Sequence, residues 1–442
     1  MPEISIKKFS CIKDASIQLK RLNVIIGPQG SGKSVTTKLV YFFADILADS
    51  LRYAEDGIFL SDYKKNLQKR FSLWFPPIAW GEDKFFLNYT DEKYSIRIMR
   101  RMSGGSPTDE VSIKLSKEFE ESYEFAVALF KSLKSSEIGT SLEVGEAFAR
   151  STLEASWRAR DEAWAFYRKT MGPGIVNDQT FIPAGRAFFT SIGRLVAGIE
   201  HAGSLDPATL KFAKLFANWR DRLESFRPHF AESESYHKSR LRIMGDLFDG
   251  VVQSKRDLEY IEMRDGRKVP FSSLSSGQQE LLPLWYFLDN ILLMEAFLSR
   301  QSKRGVQNRE GELIYIEEPE AHLFPEAQSK LLDTLVEVVI SGNRSRSLII
   351  TTHSPYIMTK LNVLLKAGQI SRRKKKNKEL GEIVERATWL HPSDVAALSI
   401  KDGIVGSIMD EDLDLIDAAF LDSISDVTAE KFSMLLDLED AI

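Results

Sequence analysis

The chain has 442 residues, 43% of them apolar and 10% aromatic, which excludes general disorder and fits either two or three domains or one core carrying a large insertion. A formal charge of -4 and a pI near 6.0 argue against a wholly basic nucleic-acid coat, though not against a local basic patch. Cys11 is the only cysteine, which excludes an intrachain disulfide and a thiolate zinc site; Met1 to Lys7 does not read as a signal sequence and no apolar run approaches the ~20 residues of a membrane span, so no membrane partner and a cytoplasmic location are expected.

Ile4, Ile6 and Phe9, then Ile12, Ala15, Ile17 and Leu19, read as two short strands with a turn at Lys13-Asp14, forming a small antiparallel sheet. Leu22 to Ile26 reads as a buried strand, and Val35, Leu39, Phe42, Phe43, Ile46 and Leu47 recur at helical spacing. Between them lies Gly27-Pro28-Gln29-Gly30-Ser31-Gly32-Lys33-Ser34, a match to G-x-x-x-x-G-K-[ST]. Strand, glycine turn and helix N-terminus aim several backbone N–H groups at one point, where the helix dipole favours an anion. Gly27, Gly30, Ser31, Gly32 and Val35 line this loop, Lys33 is placed to reach the β- and γ-phosphates, and Ser34 to hold Mg²⁺. A nucleoside triphosphate with Mg²⁺ is the expected ligand.

Short strands return between Trp74 and Met102, at Phe85 to Tyr89 and Tyr94 to Ile98. From about Glu118 to Met171 the residues are helix formers, with Phe119, Tyr123, Ala126 and Phe130, then Trp157, Trp164 and Tyr167, as apolar faces. Pro207 to Leu247 is again helical in pattern, and these aromatics read as bundle core. Between the two stretches, Phe181 to Arg186 is a short strand ending at an arginine. Arg186 either reaches a phosphate or makes a surface ion pair, and the sequence leaves both open.

Leu258 to Met263 and the turn Asp265-Gly266 form a hairpin. Leu274-Ser275-Ser276-Gly277-Gln278 then opens a helix through Leu281, Leu284, Phe287 and Ile291. Ser275 or Ser276 is its N-cap, and Gly277 allows close backbone approach. Leu313 to Ile316 reads as a buried strand ending in Glu317-Glu318-Pro319-Glu320, where α/β sheets bind ligands. A helix from Pro325 to Gly342 and a strand Leu348 to Thr352 make a parallel crossover, so His353 emerges beside Glu317 and Glu318.

The tail holds a basic run, Arg372 to Lys378, that reads as a solvated loop tip or a phosphate contact. A hairpin from Leu398 to Met409 turns at Asp402-Gly403, and helical sequence comes after it with Leu415, Ile416, Phe420, Phe432, Leu435 and Leu436 as its apolar face. Because a nucleotide site needs both the glycine loop and the distant carboxylates, the two ends of the chain are expected to share one sheet. In that arrangement Ser34 and, through water, Glu317 hold Mg²⁺, Glu318 polarises the attacking water, and His353 stabilises or senses the γ-phosphate.

The order of glycine loop, Leu274-Ser275-Ser276-Gly277-Gln278, Glu317-Glu318-Pro319-Glu320 and Thr352-His353-Ser354 resembles an ABC-type ATPase head. Within that class E-E-P-E-A-H-L-F-P followed by T-T-H-S-P is similar to the SMC and OLD (overcoming lysogenization defect) branch. Matching segments cover about the first hundred residues and 255–410. The resemblance implies an α/β head with a mixed sheet, a small antiparallel lobe and a large helical insertion. It divides the chain into 1–110 and 256–360 as the two parts of the head, 111–255 as the insertion and 361–442 as a C-terminal hairpin and helices. It also implies that Ser275, Ser276, Gly277 and Gln278 complete the nucleotide site of a second copy in an ATP-dependent homodimer or higher assembly.

Two departures stand out: Ser276 where many such heads have glycine, and Glu317 in place of the aspartate usual in SMC heads. OLD nucleases add a Toprim domain, and Asp410-Glu411-Asp412, coming after a hairpin, reads as an acidic helix start rather than a nuclease site. Stand-alone ATPases of this kind resemble subunits of anti-phage defence systems, the Septu type included, with an effector such as a nuclease as partner. An SMC-like DNA-clamping ATPase and an ATP-gated scaffold are the alternatives, the first requiring DNA contact through residues 372–378.

Overall fold

The computed structural model describes residues 2–138, 146–192, 206–226, 233–255, 258–302, 311–342, 345–372, 377–417 and 429–434. The strands are β1 (Glu3–Phe9), β2 (Ile12–Gln18), β3 (Leu22–Ile26), β4 (Phe86–Asp91), β5 (Tyr94–Ser103), β6 (Ser106–Leu115), β7 (Val176–Ile182), β8 (Gly250–Lys255), β9 (Leu258–Met263), β10 (Lys268–Pro270), β11 (Gly311–Glu317), β12 (Arg346–Thr352), β13 (Val395–Lys401), β14 (Ile404–Ser407), β15 (Met409–Asp410) and β16 (Leu415–Ile416). The helices are α1 (Lys33–Glu55), α2 (Leu60–Trp74), α3 (Lys117–Ile138), α4 (Glu146–Met171), α5 (Ala187–Ile192), α6 (Pro207–Phe226), α7 (Glu234–Phe248), α8 (Ser276–Ser302), α9 (Pro325–Leu335), α10 (Pro355–Ser371) and α11 (Asn377–Ile383).

One 11-stranded sheet organises the chain, in the order β6-β5-β4-β1-β2-β14-β13-β3-β12-β11-β7. Its first five strands pair antiparallel with one another, and β13, β3, β12, β11 and β7 run parallel. The antiparallel part is thus continuous with the parallel part, joined where Asp14 of β2 pairs with Ile404 of β14. The parallel strands are covered on both faces, which is why β3, β11 and β12 read as unbroken apolar runs. Val24, Ile26, Ile314, Ile316, Leu348 and Ile350 face one core, beneath the helices from α6 onward. Ile25, Leu313, Tyr315 and Ile349 face the other, beneath α1 to α4.

Several sequence expectations shift. The β1–β2 turn is Ser10-Cys11, with Phe9 paired to Ile12, and not Lys13-Asp14; Ser10 takes a positive φ of 55°. Lys13 and Asp14 instead lie in β2, and their N–H groups bond the Gly403 carbonyl at the tip of the β13–β14 hairpin. Trp157, expected in a bundle core, is 62% exposed. The strand read from Phe181 begins earlier, at Val176, as β7, and joins the central sheet beside β11. Leu415 and Ile416 form β16 instead of a helix face, pairing with Asp410 and Met409. Asp410 therefore begins a hairpin turn, its Oδ1 accepting from the backbone of Asp412 and Leu413, and is no helix start. Phe420, Leu435, Leu436 and residues 373–376 of the basic run lie outside the described residues; Phe432 is exposed.

One helix, α8, is long and apolar enough over Ser276–Ser299 to cross a membrane by length and composition. Its composition serves the interior: Leu284, Trp285 and Leu288 are fully buried. Its Asp289, also fully buried, accepts from Tyr236 Oη at 2.8 Å and Arg240 Nε at 3.2 Å on α7.

Asp91, at the end of β4, is buried with Oδ2 unpartnered. Burial pushes its pKa up from 3.8 to about 7. Between those values the folded chain holds a proton that the unfolded chain has released, so this residue's contribution to stability falls as pH rises through the window. Asp91→Asn is expected to raise the melting temperature by a few degrees at about pH 8 and by almost nothing near pH 4, measured by thermal unfolding across that range.

Candidate functional site

Four parallel strands end at one edge of the sheet, and each delivers a polar side chain there. In β3, Ile25 is paired with Thr351 of β12, and Thr351 is paired with Glu317 of β11. Residues just past these ends are therefore neighbours: the loop 27–34 after β3, His353 after β12, Glu318 after β11 and Arg186 after β7.

The loop after β3 closes through Ser31 N–H donating to the Pro28 carbonyl at 3.2 Å. Gly32 is the N-cap of α1, with φ 107°. A Cβ there would lie 2.5 Å from Ile12 Cδ1 and 2.8 Å from Cys11 Sγ, so the β1–β2 turn packs directly on the loop. The first N–H groups of α1, on Lys33, Ser34 and Val35, have no acceptor inside the helix. Ser34 is exposed, and Ser31 Oγ is buried without a partner.

Lys33 is buried and donates from Nζ to the carbonyls of Gly27 and Pro28, both at 2.9 Å. Burial lowers its pKa, while the charges of Glu318, Glu320 and Glu317 oppose that shift. All three carboxylates therefore act on the lysine of the glycine loop, although nearly 300 residues separate them in sequence. Glu317 is 6% exposed; its Oε2 accepts from Ala184 N–H at 3.4 Å and its Oε1 is buried with no partner. Glu318 has φ 44°, and its Oε1 lies 3.3 Å from His353 Nε2, both side chains partly exposed.

Sequence reasoning gave no role to Glu320. Its Oε1 accepts from Thr352 Oγ1 at 2.6 Å and from the backbone N–H of His353 at 2.7 Å, so it fixes the turn that presents the histidine. Its place in E-E-P-E, two residues past Glu318, was the available signal. Arg186 meets neither expectation left open for it: it is fully buried, with its donors spent on protein carbonyls instead of a surface carboxylate.

Ser275 caps α8. Its Oγ accepts from Gln278 N–H at 3.3 Å, while Gln278 Oε1 accepts from Ser275 N–H at 3.2 Å, a reciprocal cap. Ser275 and Ser276 are exposed, and none of their hydrogen bonds among the described residues reaches residues 27–34. Gly277 does permit a close approach: a Cβ there would meet the His322 carbonyl oxygen at 2.8 Å.

Among the described residues no group of three or more His, Cys, Asp or Glu side chains is placed to hold a metal by itself. A cation shared with a bound phosphate fits better. The orphaned Glu317 Oε1 offers one anionic oxygen and exposed Ser34 one hydroxyl, which is the hard-oxygen set that Mg²⁺ takes beside phosphate.

The fold and this edge define an α/β protein with a glycine phosphate loop facing strand-end carboxylates. The family described as "AAA domain, putative AbiEii toxin, Type IV TA system" matches residues 22–359, and the chain belongs to this family of P-loop ATPases. No curated protein matches the chain. Among solved structures it is similar to the SMC head domain from Thermotoga maritima, at 12% identity and TM-score 0.35, covering 92% of this chain and 97% of that one. An SMC head bound to the C-terminal winged-helix domain of ScpA gives 12% identity, TM-score 0.37 and coverage of 92% and 96%. The recombination mediator RecF gives 12%, 0.28, and 92% and 97%.

Gly32→Ala is expected to weaken nucleotide binding by at least about tenfold and to destabilise the fold by about 1–2 kcal/mol, because a Cβ is strained at that φ and collides with Ile12 and Cys11. Fluorescent-nucleotide titration and chemical unfolding check the two parts separately.

Proposed function

We propose that this protein is a Mg²⁺-dependent ATPase whose turnover is completed by a second copy and drives an effector partner. The observation that carries the reading is the convergence of the loop 27–34, Glu317, Glu318 and His353 on one edge of four adjacent parallel strands. Phosphoryl transfer to water needs little beyond positioning and charge compensation. The free N–H groups of Lys33, Ser34 and Val35 bind phosphate oxygens. Lys33 leaves the Gly27 and Pro28 carbonyls for the β- and γ-phosphates. Ser34 and Glu317 would hold Mg²⁺, which when bound neutralises phosphate charge.

Glu318 accepts the proton of the attacking water. Its partial exposure and its contact with His353 suit a group that must meet solvent-derived water and then pass a proton on. His353, fixed by Glu320, orients Glu318 and faces the γ-phosphate. The exposed start of α8 supports a role against the nucleotide of a second copy, because the N–H groups of Ser276 and Gly277, which the Ser275–Gln278 cap does not use, suit an anion.

The finer assignment is an OLD-like ATPase of anti-phage defence, similar to the Septu type. It rests on the ordered motifs, and it is in keeping with a family described by toxin–antitoxin systems. In it, residues 111–255 form the surface on which the effector, for example a nuclease, docks.

Glu318→Gln is expected to lower phosphate release by about a hundredfold or more while ATP is retained, and to trap a larger assembly in size-exclusion runs with ATP and Mg²⁺. Equal, slow phosphate release by both proteins would instead make the chain an ATP-gated scaffold.

A further inference from the structure

Arg186 stands on the short bridge between β7 and α5 and is 0% exposed. A guanidinium carries five N–H donors, and at that depth each needs an acceptor. Nη1 donates to the carbonyl of Glu317 at 2.9 Å and of Pro183 at 3.3 Å. Nη2 donates to the carbonyls of Glu318 and Pro319, both at 3.2 Å. Nε donates to the Glu280 carbonyl at 3.0 Å, and the Glu280 carboxylate lies 3.4 Å away. Burial lowers the arginine's pKa against the opposing charges of Glu280, Glu320, Glu318 and Glu317.

A plain buried ion pair would need Glu280 alone. Here three acceptors are successive backbone carbonyls, those of Glu317, Glu318 and Pro319. They are the carbonyls of Glu318 and of the residues on either side of it, and Glu318 stands in the left-handed region and bears the carboxylate facing His353. Such a backbone is unfavourable for a non-glycine residue and persists only where surroundings hold it. The planar fork is that hold. The other side of the guanidinium grips the first turn of α8, where Thr190 Oγ1 of α5 also donates to the Gln279 carbonyl at 2.8 Å.

We propose that Arg186 is a positioning residue, tying the first turn of α8 to the backbone of Glu317 to Pro319 and so setting the aim of Glu318. Displacement of the capped start of α8 is then passed to that carboxylate through a single side chain. The inference rests on Glu318 serving as the base.

Arg186→Lys keeps a cation but removes the fork. In the full chain it is expected to lower kcat by about tenfold or more, with the Kd for a non-hydrolysable ATP analogue changed by less than about threefold. Because Arg186 acts through Glu318, the Glu318→Gln protein and the double variant should share one residual rate. A further tenfold fall in the double variant overturns the proposal, as does a loss of affinity that matches the loss of rate. Where Arg186→Lys does not fold, Arg186→Gln carries the test: a tenfold or larger fall in kcat at unchanged affinity supports the tie, and wild-type turnover overturns it. Wild-type turnover by Glu318→Gln alone would sink the base assignment, an outcome separate from either result at Arg186.

Discussion

Backbone hydrogen bonding between parallel strands is the constraint on which the rest of this molecule depends. Parallel neighbours all end at the same edge, and the register of β3, β12 and β11 brings Ile25, Thr351 and Glu317 level. A slip of one residue would turn every side chain of the slipped strand to the opposite core. With that register held, the glycine loop, the glutamate pair, the histidine and the buried arginine are brought together by position alone. Each sits at or within a few residues of the end of one of four adjacent strands.

Charge at this edge is arranged as competition. Lys33 is drawn up in pKa by three carboxylates and pushed down further by burial, and it rests on two carbonyls of its own loop. Glu317 and Glu320 each keep one oxygen without a partner. A strand edge with two unpartnered carboxylate oxygens and a lysine resting on the carbonyls of its own loop is poorly satisfied as it stands. Such an edge gains most from a ligand that brings phosphate and a hard cation together.

Much of this was legible in the sequence, and for definite reasons. The glycine loop carries its own local geometry, and the apolar runs of β3, β11 and β12 announce strands buried on both faces. The crossover from Glu317 to His353 comes from strand and helix lengths alone. The features that stayed hidden depended on contacts across the chain. Arg186 reads as a strand-end arginine, and only the approach of α8 and the 317–319 turn makes it a buried clamp. Ser10-Cys11 is an unremarkable dipeptide that turns because Phe9 must pair with Ile12, while Lys13 and Asp14 are drawn into a strand by the hairpin tip at Gly403. Leu415 and Ile416 share a helical spacing with Phe420, but Asn362 of α10 binds Ile416 through both its backbone groups and holds it extended.

The position of β3 also bears on how the chain is made. The strand that carries the glycine loop is synthesised long before its neighbours on both sides, β12 and β13, which come from residues 346–401. A growing chain therefore leaves the ribosome with that strand unpaired on two edges, and the sheet closes only after the late segments emerge. Pairing across so long a span is slow and exposes sticky edges meanwhile. The glycine loop therefore meets the strand-end carboxylates of β11 and the histidine after β12 only once synthesis is well advanced.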